Sequence, residues 1–383
     1  MRIGIDCRTL SRDSYGIGTY VKNIIPNLLK TDKSNDYFLF FDLPDIPQFD
    51  WLDSRCKCVY VPFWGVSKKA GGNFAAPFWE NLALPRSLKK MDIDVYLGAN
   101  FMVPRLTNVP AVSVVHGMAP FVLKGKEEPW LFKAYFKTML RFSVAKARKV
   151  IAVSSDVKVD LVKYLKVPSS KIEVVHLAPA PFFRRIDNRD LLVNVKKKYG
   201  LPDKFILFVG GLTARKNLTT LVKAFSLAKK QGLPHKLVLC GGRRFGTDEI
   251  ADEIDRLGMR EEIVFTGMVP YDERLAAVYS LAEAVVLPSL HESIGLPLME
   301  AMACGIPVVA SNIPAIVENI GGAGILVDPL DVDGWAAAVV EVLSKTDLRQ
   351  ELRQKGFERL RQYSWEDTAQ KTLRVLEDAC AGC

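Results

Sequence analysis

Two carboxylates, Glu292 and Glu300, stand eight positions apart in the stretch HESIGLPLMEAMACGIPVVAS, residues 291–311, around the turn Ile294-Gly295-Leu296-Pro297. Pro297 suits the first position of a helix, so the amides of Ile294, Gly295 and Leu296 are expected near that helix's positive end. Such an end attracts phosphate, and Gly295 lets the backbone approach a ligand closely. A carboxylate beside a bound diphosphate would repel it. Both acids are therefore expected to meet neutral hydroxyl groups, from which carboxylates accept short, strong hydrogen bonds. Sugar hydroxyls fit that need: a ribose for Glu300, read as lying in the helix's first turn, and a second sugar for Glu292 in the loop. A capping and dipole role for both acids is the plainer alternative.

A second element is GGLTARKN, residues 210–217. It follows the apolar run FILFV and precedes LTTLVKAF, so Arg215 and Lys216 emerge from a strand-to-helix loop on the same sheet edge. There they can neutralise a diphosphate; alone, the pair reads equally well as two solvated basic residues. The stretch Tyr15-Gly16-Ile17-Gly18 is a short glycine loop between strand and helix, by physics no more than a turn. His116 closes the strand AVSVV and is one of four histidines. A lone histidine there is more often structural than catalytic.

The elements that must position these groups follow one grammar. In the second half, FILFV, KLVLC, IVFTG, EAVVLPS, IPVVAS and GILVD alternate with amphipathic helical stretches. Continuous apolar strands separated by helices indicate a parallel sheet covered on both faces, a doubly wound α/β domain. The first half repeats this with MRIGID, YFLFFD, KCVYVPF, DVYLGA, AVSVVH, KVIAVS and IEVVHLA, and with helices at GTYVKNIIPNLLK and at SSDVKVDLVKYLK, the second opened by a serine cap. The expected boundary is the proline-rich LAPAPFFRR, 177–185. This gives a Rossmann-like domain over 1–180, a second over 190–362, and a helical tail over 363–383 that packs across the junction, with Trp365 as its anchor. Two such domains facing across a cleft would hold the ligand between them.

The bulk properties agree. At 383 residues the chain fits two domains, and 49% apolar with 25% charged residues is ordinary for a globular protein. The net charge of +9 is uneven: residues 1–190 carry 29 Lys+Arg against 18 Asp+Glu, the remainder 23 against 25. The basic half suggests an anionic partner such as acidic lipid headgroups, a lipid diphosphate or a polyanion. No basic-then-apolar leader opens the sequence, and no window reaches the roughly 18 consecutive apolar residues of a spanning helix. The expected place is the cytoplasm, with the inner face of the cell membrane as a candidate surface. Seven scattered cysteines suit reduced thiols; Cys56-Lys-Cys58 and Cys380-Ala-Gly-Cys383 are pairs without a nearby histidine, a weak zinc signal.

Taken together, the residues resemble the retaining family-4 glycosyltransferases of the two-domain GT-B fold, over essentially the whole chain. The marks are Glu292 and Glu300 with seven residues between, the following AMACGIPVVAS, the FVGGLTARKN loop and the N-terminal YGIGTYVKNIIPNL. The resemblance implies that Glu292 contacts the donor sugar, Glu300 the nucleotide ribose, and Arg215 with Lys216 the diphosphate. Where the family often has arginine this chain has Gly211, so Arg215 is expected to supply that charge. The resemblance also implies that Gly16 and Gly18 face the donor phosphate or the acceptor, and that His116 positions the donor sugar. It implies front-face transfer with retention and no covalent nucleophile, the departing diphosphate helping to deprotonate the acceptor hydroxyl. Catalysis would then rest on stabilising leaving-group charge with Arg215, Lys216 and helix amides. The implied reaction is hexosyl transfer from a nucleotide diphosphate sugar of the GDP-mannose or UDP-glucose type to a glycan or lipid-linked acceptor, as in cell-surface polysaccharide assembly. No metal or other cofactor and no nucleic acid is expected. The base would be read by backbone groups near Gly241-Gly242 and Thr266 to Val269.

Competing readings stand beside this one. A metal-dependent transferase would need an Asp-x-Asp motif; Asp92-Ile-Asp94 and Asp331-Val-Asp333 match literally but read as strand and helix boundaries. A dehydrogenase would need GxGxxG after a first strand, which neither half has. A non-catalytic sugar-nucleotide binder remains open. The segment 124–149 interleaves Trp130, Phe132, Tyr135, Phe136 and Phe142 with Lys and Arg, and reads equally as a membrane-interface helix or as a core-packed helix with a basic face. Loop aromatics over 63–90, with Lys68-Lys69, could line an acceptor entrance.

Overall fold

The computed structural model describes residues 1–11, 16–63, 76–123, 129–242 and 248–381. Tyr15, Lys68, Lys69, Cys383 and the 124–128 end of the basic aromatic segment lie outside the described residues. The chain divides into two compact units. The first takes in residues 1–122, 131–177 and 364–383; the second takes in 123–130 and 178–363.

The first unit is built on seven parallel strands: β1 (Arg2–Asp6), β2 (Asp36–Phe41), β3 (Cys56–Tyr60), β4 (Val95–Gly98), β5 (Ala111–Val115), β6 (Lys149–Ala152) and β7 (Ile172–Val174). Their order is β3-β2-β1-β4-β5-β6-β7, so the winding reverses between β1 and β4. Helices on both faces explain why strands such as AVSVV are buried along their whole length. The helix Ile17–Thr31 packs against the C-terminal helix Trp365–Ala381, which also meets β4, β5 and β6. Trp365 is buried beside Tyr20, ring centroids 6.2 Å apart, and Thr368 donates to the carbonyl of His176 at 2.7 Å. The helix Ser155–Leu165 opens as its sequence indicates, with Ser154 Oγ accepting from the Val157 amide at 3.3 Å.

The second unit has six parallel strands: β8 (Phe205–Val209), β9 (Lys236–Cys240), β10 (Ile263–Gly267), β11 (Ala284–Leu287), β12 (Val308–Ser311) and β13 (Ile325–Val327). The order β10-β9-β8-β11-β12-β13 places the reversal between β8 and β11. In a doubly wound sheet the carboxyl ends at such a reversal are where ligands bind. At that edge Gly210 and Gly241 touch backbone to backbone: a Cβ on Gly241 would lie 1.9 Å from the Gly210 carbonyl oxygen, so no side chain fits there.

One acid of each Asp-x-Asp pair is engaged by a backbone amide. Asp94 accepts from the Arg2 amide at 2.6 Å, and Asp331 caps its helix by accepting from the Gly334 amide at 2.9 Å. Among the described residues, no group of three or more His, Cys, Asp or Glu is placed to hold a metal ion, and the six described cysteines are free thiols. No described helix is long and apolar enough to cross a membrane. The aromatic segment forms the helix Trp130–Lys146: Met139, Leu140, Ser143 and Val144 are buried, while Trp130, Leu131, Phe132 and Phe142 stay exposed.

Candidate functional site

The loops leaving β8 and β11 bring Arg215, Lys216 and Glu292 together. After β8 the chain makes a short 3-10 turn, Ala214–Lys216, before the helix Leu218–Lys230. The Leu290 amide donates to the Arg215 carbonyl at 2.8 Å, joining this turn to the loop after β11. Lys216 Nζ pairs with Glu292 Oε1, and Arg215 lies 3.3 Å from Glu292 Oε2 and 3.1 Å from the carbonyl of His291. Ser289, fully buried, donates to the same Oε1 at 2.6 Å. Glu292 is only 7% exposed and Lys216 5%.

The electrostatics follow from that burial. Burial by itself raises the Glu292 carboxyl, but the charges of Lys216 and Arg215 and the bonds from Lys216 and Ser289 outweigh it, holding the group at about 2. Burial lowers Lys216, and Glu292 only partly offsets this. Glu292 therefore stays ionised at any physiological pH, tied to the two cations. Within the chain Glu292 thus meets one neutral hydroxyl, that of Ser289, and two cations. A buried carboxylate at this edge takes the nearest positive charges, because an unpaired one would be far costlier.

Glu300 has a separate set of partners. It is 3% exposed and accepts from Tyr271 at 2.8 Å and Tyr279 at 2.8 Å, one hydroxyl on each oxygen. Burial raises its carboxyl to about 7, against the lowering effect of the two hydroxyls. It does not lie in the first turn: the helix runs Leu296–Ala303 with Gly295 as its N-cap, which puts Glu300 fifth. Pro297 is accordingly the second helical residue, since the left-handed backbone of Gly295, φ 84°, already turns the chain into the helix at Leu296. Ile294 is buried and its carbonyl accepts from Asn319 at 2.9 Å, pinning the turn; Leu296 is half-buried.

Two other expected residues lie on the same edge. Gly211 is partly buried, but the close backbone approach belongs to Gly210. Val269 is buried just beyond β10.

The tyrosines holding Glu300 were not singled out from the sequence, because they lie 29 and 21 residues before it. Nor was their support. Phe182 and Phe183, from the proline-rich stretch read only as a boundary, pack edge-on against Tyr271 with centroids 5.2 Å away, and Phe183 also meets Tyr279 at 5.7 Å. Ser289 was likewise missed, although a serine three residues before a buried acid was a signal within reach.

Gly16, Gly18 and His116 belong to the first unit. Gly16 is exposed at the N-cap of the helix Ile17–Thr31, and Gly18 is buried in its first turn. His116 follows β5; its Nε2 donates to the Ala99 carbonyl at 2.8 Å, and its ring meets Tyr20 edge-on at 4.9 Å. Burial lowers its pKa to about 4 despite that bond, so the ring is neutral at pH 7 with the proton on Nε2.

Comparison with known proteins bears on the family and the fold. Residues 194–359 match the family described as glycosyl transferases group 1, and residues 16–178 match glycosyltransferase family 4. The chain is 31% identical over 287 residues to the O-antigen chain mannosyltransferase B of Escherichia coli, covering 74% of each chain. Among solved structures, a sucrose-phosphate synthase from Thermosynechococcus elongatus superposes with a TM-score of 0.78 at 19% identity, covering all of both chains. The Anabaena protein HepE, solved with UDP and glucose, gives 0.72 at 15% identity over 98% of this chain and 99% of its own. At those identities the two structures speak for the fold, which is GT-B.

Proposed function

Because the chain belongs to the group 1, family-4 glycosyltransferases, we propose that it moves a hexose, most simply mannose, from a nucleoside diphosphate sugar to a hydroxyl of a glycan or lipid-linked acceptor. The observation that carries this reading is the cluster of Arg215, Lys216 and Glu292, the last two buried, at the carboxyl edge where β8 meets β11. GDP-mannose is the favoured donor because the relative at 31% identity is a mannosyltransferase; a UDP-hexose is the alternative.

Two cations and an acid at one edge suit a donor that is anionic at one end and hydroxylated at the other. On this reading the diphosphate takes over as counter-charge to Arg215 and Lys216, beside the amide end of the helix Leu296–Ala303. That frees Glu292, already ionised, to accept hydrogen bonds from the sugar's hydroxyls. Glu300, which already accepts two tyrosine hydroxyls, is suited to accept those of a ribose. His116, neutral, orients the sugar rather than taking a proton.

The acceptor oxygen forms its bond to the anomeric carbon on the face from which the diphosphate leaves. The electron pair of the broken bond goes to the phosphate oxygen, which also receives the acceptor's proton. Configuration is retained, and Arg215 and Lys216 stabilise the departing charge without a metal. The basic first half and the exposed aromatic end of the helix Trp130–Lys146 favour a lipid-linked acceptor met at an anionic membrane face from the cytoplasmic side.

The test is release of nucleoside diphosphate from GDP-mannose and UDP-glucose, with and without a bacterial lipid extract, followed by mass analysis of the glycosylated product. Turnover of GDP-mannose stimulated by the extract is expected. Binding without turnover of either donor, with or without extract, would make the protein a sugar-nucleotide binder.

A further inference from the structure

Asn217, next to Lys216, has left-handed backbone, φ 54°, in the second unit. Asparagine is among the few residues with a side chain that tolerate this region. It also occupies the N-cap position of the helix Leu218–Lys230, where an asparagine ordinarily accepts a hydrogen bond from the helix's first amides. Here it makes no such bond. Its carboxamide is used elsewhere: Nδ2 donates to the carbonyls of Pro288 at 3.1 Å and Pro329 at 2.6 Å, while Oδ1 accepts from Thr220 at 2.8 Å. The residue is 7% exposed.

Those two carbonyls belong to different loops. Pro288 directly follows β11 and precedes Ser289, the residue bonded to Glu292; Pro329 lies two residues past β13. One side chain thus ties the exits of β8, β11 and β13 together. Both of its amide hydrogens are committed, so no smaller or differently charged side chain reproduces the arrangement.

We propose that Asn217 is a positioning residue for the donor: its carboxamide sets the register between the loop carrying Lys216 and the loop carrying Glu292, so that both face one ligand. The proposal rests on the transferase reading above.

Two substitutions separate the amide from the backbone. N217G keeps the left-handed conformation and removes the carboxamide. N217D keeps its shape but sets a carboxylate oxygen against two carbonyls. Calorimetric titration with GDP and with UDP, donor KM and kcat on GDP-mannose hydrolysis, and melting temperature are measured on the full chain. We expect N217G to remain folded with nucleotide binding weakened and donor KM raised about tenfold or more, N217D to be worse, and T220V, which removes only the bond to Oδ1, to weaken binding about threefold. A lower melting temperature with unchanged affinity and KM in N217G makes Asn217 a stability residue and overturns the proposal. If N217G does not fold, T220V with wild-type affinity overturns it. Wild-type protein that binds neither GDP nor UDP instead removes the transferase reading, and this role with it.

Discussion

Lys216 and Glu292, 76 residues apart in sequence, form an ion pair in which each partner is more than nine-tenths buried. Arg215 stands on the other oxygen of the same carboxylate, with about a third of its side chain exposed. The arrangement is therefore asymmetric: two cations share one acid.

That asymmetry orders the cost of substitution. E292Q leaves two cations without their acid and is expected to destabilise by about 3–5 kcal/mol. K216M costs less, because Arg215 still faces Glu292, and the double variant costs less than the sum of the singles. Urea denaturation of the three variants checks this. Equal losses for E292Q and K216M would mean that Arg215 gives the carboxylate nothing.

The same cations are expected to hold the donor. K216A should weaken binding of GDP or UDP about 10- to 100-fold, in line with roughly 1.5–3 kcal/mol for a charged hydrogen bond. R215A should weaken it less, and its effect should shrink more as salt is raised, the Arg215 side chain being about a third exposed. Titration calorimetry at two ionic strengths reads both.

Glu300 gives a prediction about pH. Its carboxyl is raised from 4.5 to about 7 by burial, so the folded protein holds that proton more tightly than the unfolded chain. The contribution is fully present below the unfolded value and is lost as pH rises through the folded one, about 3 kcal/mol in all. E300Q cannot lose it. The stability of E300Q relative to wild type should therefore grow between about pH 5 and pH 8 and then level off. A difference independent of pH would show that Glu300 is ionised throughout.

His116, held neutral, should leave no inflection near pH 6.5 in the donor-saturated rate. H116A should slow transfer about a hundredfold through misplacement of the sugar while leaving GDP or UDP affinity unchanged. An inflection that disappears in H116A would make the histidine an acid or base instead.

Chelation is expected to change nothing: transfer in excess EDTA should match transfer in added Mg²⁺ within error. A dependence on Mg²⁺ would shift leaving-group stabilisation from Arg215 and Lys216 to a metal.

The strands and the doubly wound class of each sheet were legible because burial on both faces writes continuous apolar runs, as in FILFV and AVSVV; the strand order was not. The acid and the two cations were legible because each sits in a short loop following such a run. What the sequence hid is pairing across elements. Nothing in local spacing joins Glu300 to Tyr271 and Tyr279, or these to Phe183 in the stretch before the second sheet. Nor does the motif ARKN announce that its asparagine reaches Pro288 and Pro329 rather than capping the helix beside it. The place of Glu300 one residue further along its helix than expected, past the first turn, has a local cause, since Gly295 caps that helix and Leu296, one residue before the proline, starts it.

The first unit is not continuous in sequence: residues 364–383 complete it after the whole of the second has intervened. A ribosome therefore releases the seven strands long before the helix carrying Trp365, Thr372 and Leu376 exists to pack on β4, β5 and β6. Until then the apolar face of the helix Ile17–Thr31 must wait in water or in the keeping of a chaperone. In biosynthesis the half that begins first is the half that finishes last.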